Sequence, residues 1–460
     1  MRVLKRDVTT EMDWNRYLPQ QEAAEGSDEQ VEGSAASAPA ILERSLSGIH
    51  RARLGISQTW YTLVETLGLQ RLKAIISGVN TLPPSNDRLY LLGKEYESLN
   101  LPQAPGDSTG AAPGGGRGVE ERTEAFAEDM ASRVWVTYRS GFSMMGSSGL
   151  TTDAGWGCTI RSGQMLLANC LFLHFKGREW RRKGLSEGDE DEKEWVKEIL
   201  SLFYDTPLQN HYLSIHNVVA QGKAFGITPG HWVGPYVLSQ TFGKIINGRG
   251  QLSPLALYLA ASEAGGIPTL YKSKGYAQAT NTNLEKQDSI EGKSWKPLLI
   301  LIPVTLGVTP SINPCYVPQI LTVLSMPQSV GIIGGKPGSS VYVVGRQGER
   351  ILYLDPHTLK PSHLDQDASY AAAKENEVID SYFCDSIHHM LAAKLDPSLA
   401  LGFYCRSKAA FDNLYNRLER LNKKHPTTSL VSIAEEPLPE KESAYDLSTT
   451  EIEGGFEGIM

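Results

Sequence analysis

The sequence contains few cysteines, and they form no motif. Five occur in 460 residues: Cys158, Cys170, Cys315, Cys384 and Cys405. Their number is odd, their spacing is scattered and no Cys-x-x-Cys pair occurs, which argues against a secreted disulfide scaffold and against a structural zinc site. We therefore expect reduced thiols, no metal and no cofactor.

Long apolar runs and an excess of positive charge are also missing. The first residues lack the apolar segment of a signal peptide. The longest apolar runs, near Leu166–Phe175 and Leu298–Val308, are too short to cross a bilayer. Lysine and arginine number 44 against 52 aspartate and glutamate, giving a net charge of -8, which disfavours general nucleic-acid binding. We therefore expect a cytoplasmic protein that binds no nucleic acid.

Composition separates one folded core from polar flanks. Residues 1–48 are rich in Glu, Gln, Ser and Ala and predict a disordered arm. Residues 49–84 have apolar residues at helical spacing and predict a helical lead-in segment. The core spans 85–424, and 425–460 is predicted to be an acidic, disordered tail. Flexible insertions into the core are expected near 101–118, 184–194 and 272–295.

The core mixes helical and strand patterns. The continuous apolar run Leu298–Pro303 predicts a buried strand. Val341–Val344 and Ile351–Leu354 flank a polar, Gly-containing connection and predict a hairpin. Glu124–Ser132 and Ala409–Lys423 predict helices. This mixture is typical of an α+β domain.

Cys158 stands at the start of a strongly apolar segment. Gly155 and Gly157 flank Trp156 and predict a tight turn, after which Cys158 begins a helix that is apolar on nearly all sides and therefore buried. The positive end of a helix dipole favours a thiolate, the reactive form of cysteine. The free N–H groups of the first turn can also receive an oxyanion. The alternative is a small buried residue without a chemical role, which is what we expect of Cys170.

His357 is the best placed of the ten histidines to serve such a thiol as base. It follows the predicted strand Ile351–Leu354, and residues two apart in an extended chain share a face. Asp355 and His357 therefore project together. A carboxylate beside an imidazole fixes its tautomer and stabilises the imidazolium. The alternative is that Asp355-Pro356-His357 is a turn that closes the strand.

Three further segments have distinctive patterns. Gly331–Pro337 lacks the glycine and hydroxyl positions of a phosphate-binding Walker A motif, so we expect a tight loop next to the active site. Trp232 lies between glycines and is either a packing residue or part of a lid over an extended substrate tail. Phe456 and Ile459, three residues apart in the acidic tail, can add a strand to a partner's sheet edge and fill two pockets.

As an ordered set, these segments resemble the autophagin family of cysteine proteases, and within it a fungal-type member. The resemblance runs from about residue 88 to about residue 412. The motifs that carry it are Val134-Trp-Val-Thr-Tyr138-Arg139, Thr152-Asp153-x-Gly155-Trp156-Gly157-Cys158, Gly163-Gln164-Met165, Ser214-Ile-His216-Asn217, Gly230-x-Trp232-x-Gly234-Pro235, Gly331-Ile-Ile-Gly-Gly-Lys-Pro337, Leu354-Asp-Pro-His357 and Asp396-Pro-Ser398-x-x-x-Gly402-Phe403.

The resemblance implies a papain-like α+β core in which a central, nucleophile-bearing helix packs against an antiparallel sheet, with a small extra subdomain and disordered tails. It implies a catalytic triad of Cys158, His357 and Asp355. It also implies that the hydroxyl of Tyr138 and the backbone N–H of Cys158 stabilise the oxyanion.

The resemblance further implies a substrate, the autophagy ubiquitin-like modifier, cut after its C-terminal glycine. Both the precursor and the phosphatidylethanolamine-linked form would be cleaved, so that the membrane is met only through the lipidated substrate. Trp232 would lie on a lid over the modifier's tail, and Phe456 and Ile459 would dock the modifier. The implied setting is a monomer that supports autophagosome formation and cytoplasm-to-vacuole transport, recruited from the cytoplasm to the preautophagosomal structure, with a nuclear pool as a further expectation.

Two alternatives use the same residues differently. A catalytically idle scaffold would bind the modifier through Phe456 and Ile459 without cutting it. A transglutaminase-like acyl transferase would use the same triad types but pass the acyl group to an added amine in preference to water.

Overall fold

The structure is a computed structural model, which describes residues 82, 85–97, 124–182, 190–262, 266–281, 293–336, 338–362 and 375–437. The predicted arm at 1–48, the insertion at 101–118 and the docking residues Phe456 and Ile459 lie outside the described residues, as does nearly all of the 49–84 segment.

Helices and strands alternate irregularly along the described residues. The helices are α1 (124–131), α2 (Cys158–Lys176), α3 (Glu190–Ser201), α4 (Ile215–Gly222), α5 (Pro235–Gly248), α6 (Lys272–Thr280), α7 (Val317–Leu324), α8 (Glu375–Asp380) and α9 (Lys408–Lys424). The strands are β1 (Leu89–Leu91), β2 (Lys94–Tyr96), β3 (Tyr138–Ser140), β4 (Ala256–Leu259), β5 (Thr269–Tyr271), β6 (Leu298–Thr305), β7 (Ser329–Lys336), β8 (Ser339–Gln347), β9 (Arg350–Leu354), β10 (Leu359–Pro361), β11 (His388–Leu391), β12 (Ser398–Cys405) and β13 (Ser432–Ala434). The strands and helices predicted for the core are confirmed.

One large sheet organises the described core. Its strands lie in the order β11-β9-β8-β7-β12-β6-β4, with β1 paired to β8 and β2 paired to β1. The pairs are antiparallel except for β4 with β6, so the predicted antiparallel sheet is a mixed one. Strand β12, late in the chain, lies between β6 and β7. Two small parallel pairs, β10 with β3 and β13 with β5, stand apart from it.

The side chains of the central strands alternate between two apolar cores, one on each face of the sheet. In β6, Leu299 and Leu301 face the core that contains α2, whereas Leu298, Ile300 and Ile302 face the core that contains α9. All five side chains are fully buried. Both faces of the sheet are therefore covered, which explains why β6 is a continuous apolar run without polar alternation.

Helix α2 is the buried centre of the first core. Residues 158–172 are all buried, and the helix packs on β7 and β8. A helix with apolar residues on nearly all sides is stable only where other parts of the protein cover it. The predicted buried helix that begins at Cys158 is confirmed, and it carries this residue to the edge of β7 and β8.

Two regions predicted as loops contain regular structure. The expected insertion at 272–295 begins with α6, whose Ala277 and Ala279 are buried; small apolar residues among lysines give a weak helical pattern. The tight loop expected at Gly331–Pro337 is wrong for its described part, because Ser329–Lys336 forms β7. Glycine usually marks a turn, but these glycines lie in a buried strand.

The predicted borders of the flexible segments also shift. Helix α3 already begins at Glu190, inside the insertion expected at 184–194. The tail expected from residue 425 onward contains β13, which pairs with β5. Leu430 and Val431 are buried just before this strand, and they fix the beginning of the tail against the second core.

No helix among the described residues is both long and apolar enough to span a membrane.

Candidate active site

The turn before α2 places Cys158 at the first position of the helix. Asp153 closes this turn, because its backbone oxygen accepts the N–H of Gly157 at 2.9 Å. A Cβ atom at Gly157 would lie 2.3 Å from Oδ2 of Asp153, so only glycine allows the turn to close this tightly. Cys158 follows with its thiol buried, 3% of the residue being exposed.

A buried ion-pair network fixes the turn to the rest of the core. Nε of Arg161 donates to Oδ2 of Asp153 at 2.8 Å, and its Nη1 donates to Oδ1 of Asp205 at 2.7 Å. Oδ1 of Asp153 also accepts the backbone N–H of Arg139 at 2.7 Å. Arg139 follows Tyr138 directly, so a single carboxylate joins the strand that carries Tyr138 to the turn that carries Cys158. We refer to Asp153, Arg161 and Asp205 as the buried clamp; it was not predicted from the sequence.

Asp355 and His357 lie just beyond the end of β9, as predicted. Nδ1 of His357 lies 2.5 Å from Oδ1 of Asp355, and the same oxygen accepts the backbone N–H of His357 at 3.0 Å. The side chains of His357 and Asp355 keep 16% and 27% of their surface exposed. The pair is therefore partly accessible from solvent.

The backbone of this segment is fastened to a distant part of the chain. Trp135 Nε1 donates to the backbone oxygen of Asp355 at 2.7 Å. The backbone N–H of Tyr138 donates to the backbone oxygen of Pro356 at 3.0 Å. These bonds, together with the parallel pairing of β3 and β10, hold the imidazole segment against the strand that leads to the Cys158 turn.

The structure brings Cys158 and His357 into hydrogen-bond contact. Burial alone would raise the pKa of the Cys158 thiol, but the hydrogen bond and the positive charge of His357 outweigh it and leave that pKa lowered. Burial would lower the pKa of His357, but its bonds to Asp355 and to Cys158 raise it to about 10. Burial would raise the pKa of Asp355, but the hydrogen bonds and the positive charge of His357 lower it to about 2. These directions favour a thiolate beside an imidazolium.

The other buried thiols have the opposite tendency. Burial raises the pKa of Cys170 and of Cys405, and raises that of Cys384 to about 12. Their thiolates are disfavoured because burial removes water from them, and at Cys384 the charges of Lys360 and Arg182 offset only part of that loss. Among these buried cysteines, only Cys158 combines a helix start with a paired imidazole.

Two groups besides His357 contact the Cys158 sulfur. The hydroxyl of Tyr138 and the backbone N–H of Ser340 both donate to it, and each lowers the pKa of the thiol. The edge of the Tyr138 ring also meets the imidazole, with 5.4 Å between ring centroids. Tyr138 was predicted at this place; Ser340 was not, because only the pairing of β7 with β8 reveals that the tip of this hairpin reaches the thiol.

The remaining predicted site residues are not brought to this cluster by any described contact. Trp232 lies just before α5 with 53% of its surface exposed, so its expected role as a packing residue of the core is excluded and the lid interpretation stays a prediction. Phe456 and Ile459 are outside the described residues. Among the described residues, no cluster of three His, Cys, Asp or Glu side chains could hold a metal ion.

The arrangement has the parts required for acyl transfer through a covalent intermediate. Three groups contact one another in sequence: a thiolate nucleophile, an imidazolium that can give a proton to a leaving group, and a carboxylate that orients the imidazole. The N–H groups at the start of α2 and the Tyr138 hydroxyl lie beside the sulfur, where a carbonyl oxygen would develop negative charge.

Comparison with known proteins points to the same chemistry. The family model described as the peptidase C54 catalytic domain matches residues 123–417. The protein named Cysteine protease ATG4A of Oryza sativa subsp. indica is 35% identical over 348 residues, which cover 72% of this chain and 69% of that protein. Cysteine protease ATG4b of Arabidopsis thaliana is 34% identical, covering 82% of this chain and 77% of the relative. Cysteine protease ATG4A of Gallus gallus is 34% identical, covering 62% and 75%.

Proposed function

The chain belongs to the peptidase C54 family of cysteine proteases, the autophagins, and on that basis we propose that it cleaves the autophagy ubiquitin-like modifier directly after its C-terminal glycine. Family membership makes it a thiol hydrolase of autophagy. The observation that carries the finer proposal is the row of Cys158, His357 and Asp355 at the start of the buried helix. A single glycyl amide in an extended tail suits one nucleophile in a cleft.

The proposed reaction has two steps at one sulfur. The thiolate of Cys158 attacks the glycyl carbonyl carbon, and the resulting oxyanion is stabilised by the Cys158 backbone N–H and by the Tyr138 hydroxyl. His357 gives its Nε2 proton to the leaving amine, which departs and leaves a thioester. His357 then accepts a proton from water, the hydroxide attacks the thioester, and the thiolate returns with release of the modifier.

The same two steps serve two substrates. The leaving amine is the α-amino group of the next residue in the precursor, and it is the ethanolamine amine in the phosphatidylethanolamine-linked modifier. Neither the attacking sulfur nor the acyl group differs between them, and only the leaving amine changes, so the same site can serve both reactions. Through both activities the enzyme supports autophagosome formation and cytoplasm-to-vacuole transport, and it meets the membrane only through its lipidated substrate.

Two contacts outside the triad complete the proposal. Trp232 is an exposed indole at the start of α5, which suits a lid that covers the extended tail of the modifier. Phe456 and Ile459 dock the folded body of the modifier by strand addition. We place the monomeric enzyme in the cytoplasm, with recruitment to the preautophagosomal structure where its lipidated substrate is found, and with a nuclear pool.

Cleavage can be tested with purified protein and a modifier precursor that carries extra residues after its glycine. Intact mass should show a single cut after that glycine, and Cys158→Ala should abolish it. Cys315→Ala is the matched control, because Cys315 is exposed and lies outside the site; it should cut at the wild-type rate. A folded, reduced protein that makes no cut would leave the scaffold alternative in its place.

The competition between water and amines separates a hydrolase from an acyl transferase. With an added primary amine present, mass analysis should show the hydrolysed modifier as the main product. A predominant amide of the added amine would contradict the protease proposal. For the phosphatidylethanolamine-linked form, the substrate is a vesicle that carries the conjugate, and mass analysis measures the modifier released from it.

The reactivity of the thiols tests the nucleophile without a substrate. Iodoacetamide at near-neutral pH should alkylate Cys158 faster than Cys315, although Cys315 is the more exposed, because the pKa of Cys158 is lowered by His357. Equal and slow reaction of both thiols would favour the idle scaffold.

The docking role of the tail has its own test. The double change Phe456→Ala and Ile459→Ala should weaken binding of the modifier to Cys158→Ala protein. Unchanged binding would remove the tail from the proposal.

A further inference from the structure

Helix α9 has a basic side that faces away from the sheet. Its apolar side chains are buried in the second core: Phe411, Leu414, Tyr415, Leu418 and Leu421. Arg417, Arg420 and Lys424 follow one another at intervals of three and four residues, which places them together on the opposite side of the helix. Arg420 and Lys424 are exposed and Arg417 is half-buried. We refer to these three residues as the basic stripe.

The charges of the basic stripe are not neutralised within the described part of the chain. The two other lysines of α9 each pair with a carboxylate four residues away. No described carboxylate lies within ion-pair distance of the stripe. Nε of Arg417 donates to Oδ1 of Asn413 at 2.7 Å, and Nε of Arg420 donates to the backbone oxygen of Asn416 at 3.1 Å. Both acceptors are neutral, so the positive charge remains available to a further partner.

The chain contains an acidic segment that matches this charge. Residues 438–460, which lie outside the described residues, contain one lysine and six carboxylates: Glu440, Glu442, Asp446, Glu451, Glu453 and Glu457. The last three surround Phe456 and stand close to Ile459. Negative charge is therefore concentrated around the two residues that we propose to dock the modifier.

The acidic segment leaves the described fold beside the middle of α9. Just before it, the backbone oxygen of Glu435 accepts the N–H of Ser273 at 2.9 Å. Lys272 bonds to Oε1 of the same glutamate at 3.2 Å and lies over the ring of Tyr415, 5.0 Å from its centroid. Tyr415 is near the centre of the 17-residue helix, so every part of α9 lies within about 15 Å of this point along the helix axis.

The acidic segment is also long enough to reach the basic stripe. Nineteen positions separate Phe456 from Pro437, the last described residue. A chain of that length spans about 60 Å when extended, whereas the stripe lies about one helix diameter, ~10 Å, around α9 from the side where the segment begins. Because both partners belong to one chain, the effective concentration of the segment at the stripe is on the order of millimolar.

We propose that the acidic segment 438–460 binds the basic stripe of α9 within one molecule and holds Phe456 and Ile459 there until a modifier displaces them. The consequence for docking rests on the proposed function, which assigns these two residues to the modifier. Single contacts between exposed ions are weak, but several act together here. The apparent affinity for the modifier is then reduced by the fraction of molecules in which the segment is bound to the stripe.

Zero-length crosslinking of the full chain tests the contact directly. A carbodiimide joins a lysine amine to a carboxylate that touches it, without a spacer. At low salt we expect crosslinks from Lys423 and Lys424 to Glu451, Glu453 and Glu457, identified by mass spectrometry of the digested monomer. At about 1 M NaCl, where charges are screened beyond about 3 Å, these crosslinks should largely disappear.

Substitutions that spare the reporting lysines separate charge from shape. Arg417→Gln with Arg420→Gln removes two charges of the stripe, and the crosslinks should fall about threefold. Arg417→Lys with Arg420→Lys keeps both charges and should retain the crosslinks at Lys423 and Lys424. Lys197→Gln is the matched control, because it removes an exposed cation from α3, which packs against the other core, and it should leave them unchanged.

Binding of the modifier measures the consequence for docking. In Cys158→Ala protein, Arg417→Gln with Arg420→Gln should raise the affinity for the modifier about threefold, because the docking residues are released from the stripe. Lys197→Gln should not change this affinity. When Phe456→Ala and Ile459→Ala are also present, the difference made by the two glutamines should vanish.

Each alternative occupant of the stripe has its own result. Absence of the crosslinks at low salt, or crosslinks that survive the loss of the two arginine charges, would overturn the inference. Crosslinks found only in a species of twice the mass would assign the stripe to a second copy of the chain. Phosphatidylserine vesicles that bind the wild-type protein but not the glutamine variant, without crosslinks, would assign it to anionic lipid.

The two proposals fail in different ways. If Phe456→Ala with Ile459→Ala weakens modifier binding but the glutamine variant does not strengthen it, the stripe does not hold the docking residues and the inference is wrong. If the two alanines leave modifier binding unchanged, the docking part of the proposed function fails, and the crosslinks alone decide whether the segment binds the stripe.

Discussion

The two halves of the active site are held in place by different kinds of contact. On the thiol side, Cys158 follows a turn that is closed by the fully buried clamp of Asp153, Arg161 and Asp205. On the imidazole side, Asp355 and His357 keep part of their surface exposed, and backbone bonds and the strand register hold them. Charge inside the core fixes one half, and sheet geometry fixes the other.

This difference indicates how the two halves divide their tasks. The buried charges of the clamp are tolerable only while all of them are paired, so the thiol side is part of what keeps the core folded. In the proposed reaction the charges of the imidazole side transfer the proton, and these side chains are partly exposed. Substitutions on the thiol side should therefore lower stability and activity together, while those on the imidazole side should lower activity more than stability.

The largest effect is expected from Arg161→Met. The substitution leaves Asp153 and Asp205 without their buried cation, and breaking such a pair costs about 3–5 kcal/mol of unfolding free energy. Urea unfolding followed by circular dichroism measures this loss, and cleavage should fall with it. A fully stable Arg161→Met protein would show that the clamp is not structural and would remove the distinction between the two halves.

Asp355→Asn should have the next largest effect, on activity. Asparagine has nearly the same shape but no charge to stabilise the imidazolium, so kcat/KM should fall on the order of a hundredfold, with a smaller loss of unfolding free energy than in Arg161→Met. Because Asp355 contributes to a His357 pKa of about 10, the loss of activity as pH rises should begin at lower pH in the variant. A pH profile of kcat/KM measures this shift.

The acid side of the same profile provides an internal control. Activity is lost as pH falls through the pKa of Cys158, which His357 keeps lowered. Asp355→Asn weakens the imidazolium and should therefore move this limb towards higher pH, which narrows the active range from both ends. A loss of stability as large as that of Arg161→Met would contradict the assignment of Asp355 to the chemical half.

A smaller effect is expected at Trp232, which belongs to neither half. Its side chain is largely exposed, so Trp232→Ala should leave the unfolding free energy within about 0.5 kcal/mol. As a lid residue it should lower kcat/KM for the modifier by about tenfold, the loss of one apolar contact with the substrate tail. Trp232→Phe keeps an aromatic ring and should retain most of the activity. Unchanged kinetics in Trp232→Ala would exclude the lid.

The smallest effect is expected from Lys197→Met on α3. Lys197 and Glu194 form an ion pair of 3.4 Å in which the side chains are 40% and 73% exposed. Exposed pairs contribute little, so the unfolding free energy should change by less than about 0.5 kcal/mol and cleavage not at all. This variant removes a cation as Arg161→Met does, and the contrast isolates the effect of burial. A large loss here would show that the charge, and not its burial, determines stability.

The residues that we propose to react could be predicted from the sequence because their geometry is local. A helix start after a glycine turn identifies Cys158, and two residues of extended chain bring Asp355 beside His357 whatever the rest of the fold does. Tyr138 came from the family resemblance. The buried strand at Leu298–Pro303 and the buried helix at Cys158 followed from apolar runs, whereas the sheet, expected to be antiparallel from the resemblance, is mixed.

The supporting residues could not be predicted because they depend on contacts between distant segments. Trp135 bonds to Asp355 across 220 positions of sequence, and Arg161 bonds to Asp205 across 44. The hydroxyl of Ser339 lies 3.1 Å from Nε2 of His357, a contact that no pattern in either segment predicts. At Gly331 the pattern was misleading. Its φ is +92°, and a Cβ atom there would lie 2.4 Å from a backbone oxygen, which explains a glycine inside a strand, where glycine normally predicts a loop.

The central position of β12 has a consequence for the newly made protein. The proposed nucleophile Cys158 leaves the ribosome about two hundred positions before the proposed base His357, and β12 follows later still. Until β12 has been synthesised, β6 and β7 have no partner between them, and the sheet that supports the hairpin tip cannot close. A growing chain therefore carries its cysteine without the means to activate it, so proteolysis begins only after translation has passed the last strand of the large sheet.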